Sequence, residues 1–160
     1  MKKSKVSIIM GSKSDWKTMQ IAEIILSDFK IDTEIKIVSA HRTPDRMFRY
    51  AKNARKNNIE IIIAGAGGAA HLPGMVSALT TIPVLAVPIE SKFMNGLDSL
   101  LSIVQMPYGI PTATFAVGEA GAKNAALFAL SILAFKNSKV LEDLNKWRSK
   151  LTQSIKNSPK

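Results

Sequence analysis

The 160-residue chain contains no cysteine. That absence removes disulfides, thiolate nucleophiles and cysteine metal sites together, and it fits a reducing compartment. Histidine is almost as scarce, with His41 and His71 alone. Charged residues make up 21% of the chain against 46% hydrophobic, a balance too apolar for intrinsic disorder. Long hydrophobic runs are missing too. The longest, over 125–135, falls short of the ~20 residues a membrane span needs. Met1-Lys2-Lys3 has the look of a basic leader. The apolar run after Lys5, however, stops within about five residues, so no secretory signal is expected. The expectation is a cytoplasmic protein with no membrane partner, folded as a single α/β domain over residues 1–160.

Acidic residues are few, 12 against 22 basic ones, and the net charge is +10. Taken whole, that figure suggests an anionic partner. Its distribution says otherwise. Residues 1–5 carry Lys2, Lys3 and Lys5, and residues 136–160 carry a net +5. Residues 6–135 hold twelve positive and ten negative charges, so the bulk of the domain is close to neutral. Arg46, Arg49, Lys52, Arg55 and Lys56 form a basic stripe, and the aromatics among them, Phe48 and Tyr50, fall on the helix's apolar side with Met47 and Ala51 rather than in the stripe, where stacking on single-stranded nucleic acid would need them. We read it as a solvated face, with no nucleic-acid partner.

β-branched runs alternate with helical patterns. Strands are expected at 6–10, 33–38 (with Ile35 and Ile37 on one face), 59–64, 83–87 and 112–117. Helices are expected at 16–29, 44–56, near 74–80, 97–104, 119–135 and 139–155. Pro44 suits a first helical turn. Helix 119–135 is apolar nearly all round, either a core helix or one packed on another subunit, and the second use is favoured for at least part of it. The last helix is expected to pack on the domain or a neighbouring subunit. Five strands alternating with helices imply a doubly wound parallel sheet, in which ligands sit beyond the carboxyl ends of the strands.

Three loops at those ends carry chemistry. Gly11-Ser12-Lys13-Ser14-Asp15 either holds a phosphate at a helix N-terminus or caps the helix that follows. Ser39-Ala40-His41-Arg42-Thr43-Pro44 sets a histidine, able to exchange a proton near neutrality, beside a guanidinium suited to phosphate or carboxylate. Gly65-Ala66-Gly67-Gly68-Ala69-Ala70, closed by His71, matches a G-x-G-x-x-A dinucleotide pattern with Glu90 about 20 residues on. Pro73 and Gly74 interrupt the helix that pattern needs. The other use of such a loop is close backbone approach to a flat ligand, with its amides as donors. A nucleotide- or flavin-binding module therefore stands beside an enzyme as a reading of these residues.

Met10-Gly11-Ser12-Lys13-Ser14-Asp15-Trp16, Ser39-Ala40-His41-Arg42-Thr43-Pro44 and residues 64–75 (AGAGGAAHLPGM) together resemble the N5-carboxyaminoimidazole ribonucleotide mutase family of purine biosynthesis. Ile103-Val104-Gln105-Met106-Pro107, Gly109-Ile110-Pro111, Gly121-Ala122 and Asn124-Ala125-Ala126 continue the resemblance in collinear order over residues 6–135. It implies a flavodoxin-like three-layer α/β/α sandwich with a C-terminal helix, assembled as a homo-octamer with sites at subunit contacts. It also implies no metal and no organic cofactor. The implied reaction moves a carboxylate from the exocyclic nitrogen of a ribonucleotide to ring carbon 4, by decarboxylation and recarboxylation. His41 is the implied general acid/base. Ser12, Ser39 and Asp15 would hold the ribonucleotide, Asp15 through ribose hydroxyls, and Arg42 the phosphate. Ala66, Gly67 and Gly68, with His71 and Leu72, would enclose the imidazole and CO2. Functional coupling to the ATP-dependent synthetase that makes the carbamate is a further implied partnership. A second class in the family carboxylates aminoimidazole ribonucleotide directly with CO2, but its third loop is more polar than this one. Glu90-Ser91-Lys92-Phe93-Met94-Asn95 and Glu119 depart from the commoner family sequence.

Overall fold

Apolar residues on both sides of a strand must be covered on both sides, and that requirement organises this chain. The computed structural model describes residues 5–158; Lys2, Lys3 and Lys160 of the basic ends lie outside the described residues. Strands β1 (Lys5–Met10), β2 (Asp32–Ile37), β3 (Ile59–Gly67), β4 (Val84–Ile89) and β5 (Ala113–Thr114) form one sheet in the order β2-β1-β3-β4-β5. Every pairing is parallel. The helices are α1 (Trp16–Asp28), α2 (Pro44–Asn53), α3 (Leu72–Ser77), α4 (Leu97–Val104), α5 (Glu119–Ala134) and α6 (Ser138–Ser154).

Side chains alternate across the sheet, so neighbours in sequence join different cores. Ile8, Ile61, Ile63, Leu85 and Val87 pack with Met19 and Leu26 of α1, with Leu130 and Leu133 of α5, and with Val140 and Leu144 of α6. Ile9, Ile62, Ala64, Val84 and Ala86 pack on the other face with Met47 and Ala51 of α2, Val76 of α3 and Ile103 of α4. Two helical layers therefore enclose the sheet, a flavodoxin-like α/β/α sandwich.

Several boundaries differ from those the sequence suggests, each for a local reason. β3 runs on to Gly67, so Gly65, Ala66 and Gly67 are strand rather than loop, paired with Val87, Pro88 and Ile89. A Cβ on Gly65 would stand 2.4 Å from Met19 Sδ, so this glycine serves the packing of α1 on β3. α3 starts at Leu72 with Pro73 in its first turn, where the missing N–H is harmless; Pro73 does not interrupt it. α2 stops at Asn53, and the chain reverses through Asn58 at a φ of 61°. β5 shortens to two residues. β2 lies at the sheet edge, and Ile35 and Ile37 stay 44% exposed instead of facing a core. Helix α5 is a core helix, with Ala122, Ala125, Ala126, Ala129, Leu130 and Leu133 buried within this chain; Phe128 is left on its outer side, 47% exposed.

α5 packs this closely because Gly121 in its first turn has no side chain. A Cβ there would lie 1.7 Å from the Ala116 carbonyl oxygen, a rigid backbone atom. Gly121→Ala gains about 1 kcal/mol in helix propensity, but overpacking of this kind costs about 1–3 kcal/mol, and a backbone clash puts it at the upper end. Urea denaturation of the variant should show a net loss of about 2 kcal/mol. Stability equal to the parent would mean that the 116–121 turn relaxes freely.

Candidate active site

The order β2-β1-β3-β4-β5 reverses direction on either side of β1, which makes the crevice between β1 and β3 a topological switch point. A cavity of about 510 Å3 opens there. Its wall includes Ser12, Asp15, Ser39, His41, Arg42, Ala66, Gly67, Gly68, His71 and Leu72. Every residue expected from the sequence to form the site is therefore brought to one place. A larger cavity, about 910 Å3, lies at the other end of the sheet between the end of α2, residues 77–85 and residues 109–113. Neither histidine reaches it, so size alone does not identify the site.

The first loop is a single 3-10 turn, Lys13–Asp15, leading into α1. Ser12 caps it, with its hydroxyl accepting from the Ser14 amide, and the Asp15 carboxylate accepts from the Ser12 amide at 3.0 Å. This reciprocal capping box caps the turn through Ser12, whereas neither Ser14 nor Asp15 caps α1 as the sequence suggests, Asp15 making no side-chain cap bond to that helix. Ser12 and Asp15 both stay on the cavity wall. The second loop is held by its own side chains: the Ser39 hydroxyl accepts from the Arg42 amide at 3.2 Å, and the Thr43 hydroxyl donates to the Ser39 carbonyl at 3.0 Å. Arg42 Nη2 donates to the Gly11 carbonyl at 2.8 Å and Nε to the Ser39 hydroxyl at 3.4 Å. The guanidinium thus ties the loop after β2 to the loop after β1.

The third loop turns at Gly68, whose φ of 66° favours glycine. Its amides are largely committed. The Gly68 amide donates to the buried Ser99 hydroxyl at 2.9 Å, the Ala70 amide to the Gly68 carbonyl at 2.8 Å, and the His71 amide to the Ala69 carbonyl at 2.9 Å. These three do not project as ligand donors; what the loop offers is close approach. His71 precedes α3, and its Nδ1 stands 2.9 Å from His41 Nε2, the rings meeting edge to face. One nitrogen must donate and the other accept, so this contact holds one proton between the two histidines of the chain. Among the described residues no group of three or more histidine, aspartate or glutamate side chains is arranged to hold a metal ion. Among the described residues no helix is long and apolar enough to cross a membrane.

The sequence model of the AIR carboxylase family matches residues 5–154. The chain belongs to the AIR carboxylase family. It is 62% identical over 144 residues to an N5-carboxyaminoimidazole ribonucleotide mutase of Pyrococcus abyssi, covering 90% of this chain and 82% of that protein. To the mutase of Saccharolobus solfataricus it is 58% identical over 151 residues, 94% of each. Among solved structures, Treponema denticola PurE superposes with a TM-score of 0.87 at 27% identity, over 96% of this chain and 94% of that one.

Of the two segments that depart from the commoner family sequence, one borders the cavity and one does not. Glu90 and Ser91 line it; Glu119 sits at the start of α5, 3.8 Å from Lys123. Ser99 is the residue the sequence hides: a serine on an amphipathic helix, legible only as lying one turn before the buried Ile103. Its hydroxyl also donates to the Ile89 carbonyl at 2.6 Å.

Asp15 is the buried carboxyl of the cavity, 9% exposed. Burial pushes it above the usual aspartate range, outweighing hydrogen bonds from Ser12, Ser14 and Gly11 and the attraction of Arg42. A raised folded-state value means the protonated form favours folding: that contribution is whole below the ordinary value of ~3.9 and is lost as pH climbs through the folded value. Asp15→Asn keeps an acceptor for the Ser12 amide and removes the buried charge. Its melting temperature should exceed the parent's by about 2–4 °C at pH 7, and the gap should close towards pH 3. A lower melting temperature at pH 7 would show that the ionised carboxylate is net stabilising.

Proposed function

We propose that this chain is an isomerase of purine biosynthesis that converts N5-carboxyaminoimidazole ribonucleotide to 4-carboxy-5-aminoimidazole ribonucleotide. The observation that carries the reading is the His41–His71 contact, 2.9 Å at the wall of a small-residue cavity. The relatives at 58% and 62% identity are named N5-carboxyaminoimidazole ribonucleotide mutases, which supports that reaction for this chain.

The chemistry needs one mobile proton and a place to keep CO2. His41 as imidazolium gives a proton to the exocyclic nitrogen as its bond to the carboxylate breaks, releasing CO2 and the free amine. Ring carbon 4, made nucleophilic by that amine, attacks the CO2 carbon. The carbon then carries both a hydrogen and the new carboxylate, and neutral His41 removes that proton to restore the aromatic ring. The histidine ends as it began, so one group serves both steps. Ala66, Gly67, Gly68 and Leu72 shield CO2 from water. Ser12, Ser39 and Asp15 hold the ribonucleotide, and Arg42 takes its phosphate with the guanidinium positions not spent on Gly11 and Ser39. No step calls for a metal or organic cofactor. Direct carboxylation of aminoimidazole ribonucleotide is less well supported, since the loop at Gly68–Leu72 is apolar but for His71.

The reading extends to a cytoplasmic homo-octamer, functionally coupled to the ATP-dependent synthetase that makes the labile carbamate. Phe93, Leu97, Leu101 and Val104 support assembly, because they leave a large apolar area exposed on and before α4. Nothing supports a nucleic-acid partner. In the basic stripe Arg46 donates to the Ile37 carbonyl and Arg55 to the Thr81 hydroxyl.

Purified protein should convert the carbamate substrate without ATP, metal or bicarbonate, and His41→Asn should lower turnover about 10²–10⁴-fold while keeping the fold. Full activity in that variant would remove His41 from the mechanism. Turnover of aminoimidazole ribonucleotide with bicarbonate, and none of the carbamate, would assign the other class. Light scattering after size exclusion should give eight times the 17.4 kDa chain mass; a monomer would remove the octamer.

A further inference from the structure

Two carboxylates line the cavity, and they are used differently. Asp15 is buried and accepts from the Ser12 amide and the Ser14 hydroxyl. Glu90 is exposed to the cavity and has no hydrogen-bond or ion-pair partner among the described residues. Its backbone, by contrast, is fixed on both sides. The Ile89 carbonyl before it accepts from Ser99 at 2.6 Å. The Ser91 hydroxyl after it donates to Asp98 at 2.6 Å and accepts from the Gly96 amide at 3.2 Å. Gly96 lies so close that a Cβ there would meet Glu90 Cα at 3.2 Å. A free carboxylate on a pinned backbone is an acceptor without a donor.

The strand order says which part of a ligand reaches it. Arg42 and the capped turn stand over β2 and β1, the histidine pair and Gly68 over β3, and Glu90 follows β4, whose last residue pairs with Gly67. A ribonucleotide laid across the crevice with its phosphate at Arg42 therefore carries its heterocycle towards Gly68 and Glu90. The exposed donor on that heterocycle is the exocyclic nitrogen. In the 4-carboxylate product one of its N–H groups turns to the neighbouring carboxylate and the other points away, unsatisfied.

We propose that Glu90 is the specificity residue for the exocyclic amino group, its carboxylate accepting that outward N–H; the assignment rests on the mutase reading. A carboxylate acceptor makes a stronger bond than a neutral one. It also selects against ligands that place an acceptor or an anion at that position. The departure from the commoner family sequence at Glu90 then bears on recognition of the amine and leaves the His41 proton chemistry unchanged.

The test compares two ligands in calorimetry on the intact protein: 4-carboxy-5-aminoimidazole ribonucleotide and its analogue lacking the amino group. The parent should bind the amino compound about tenfold more tightly, the scale of one charged hydrogen bond in a partly solvated site. Glu90→Ala should narrow that preference to within about twofold, with Glu90→Gln between. Because Glu90 is exposed and unbonded, both variants should keep the parent's melting temperature. A tenfold preference surviving in Glu90→Ala would overturn the assignment, as would equal binding of both ligands by the parent, and either result would leave the mutase reading intact. Parent protein that binds neither ligand would remove the mutase reading and the Glu90 assignment with it.

Discussion

A single buried hydroxyl joins the two halves of the site. The β3–β4 ladder ends at Gly67 and Ile89, and beyond it the next amide and the last carbonyl have no strand to bond. Ser99, with no solvent exposure, meets both: it accepts from the Gly68 amide and donates to the Ile89 carbonyl. Leaving either group unpaired would cost about 1–3 kcal/mol, so the bridge is worth more than an average hydrogen bond. Ser102, one turn along α4, adds a bond to the Gly68 carbonyl. The loop that presents His71 and the strand end that presents Glu90 are thus fastened to one helix, and α4 is in turn anchored by buried Ile103. Precision at the cavity derives from the core through this route.

The opposite wall is held by charge and capping instead. Arg42 bonds the Gly11 carbonyl, and the Asp15 carboxylate bonds the Ser12 amide, so the loops after β1 and β2 are tied to each other. This arrangement has an energetic cost, since burial makes the ionised Asp15 less comfortable than its neutral form. A chain selected only for stability would place an asparagine there. A carboxylate kept on the cavity wall against that cost fits the ribose-binding role proposed for Asp15, a binding residue held at some expense of stability.

The order of strands and helices was legible because the apolar pattern changes period from 2 to 3.6 at each junction. The site was legible because parallel sheets direct chemistry to strand ends, and His41, Arg42 and His71 fall there. Misreadings arose where a residue's job depends on a neighbour distant in sequence. Gly65 looked like phosphate-loop glycine, but it is a flat spot under Met19. The run Gly65–Gly67 looked like loop because glycine disfavours strands, yet β4 supplies a full ladder for it. Ile35 and Ile37 share one face as the alternation suggests, but that face stays 44% exposed because an edge strand has no second neighbour to complete its cover. Ser99 had no signature at all, because a serine that bridges two backbone groups reads like any other helical serine.

The net charge of +10 bears little on the cavity. Much of the excess sits at the chain ends, and in α6 the lysines are partly spent on Glu142 and Asp143. Within the crevice the fields are local: a guanidinium over β1 and β2, two histidines over β3, a free carboxylate after β4. The proposed ribonucleotide, with its phosphate at one end and the outward N–H of its amine at the other, pairs with Arg42 and Glu90 in one direction. Reversed, it would bring its phosphate to Glu90 and its amine to Arg42, two like-charge or donor–donor contacts in place of two attractive ones. On the proposed reading, polarity along the crevice sets the orientation of the ribonucleotide relative to His41 before any contact to its ring is made.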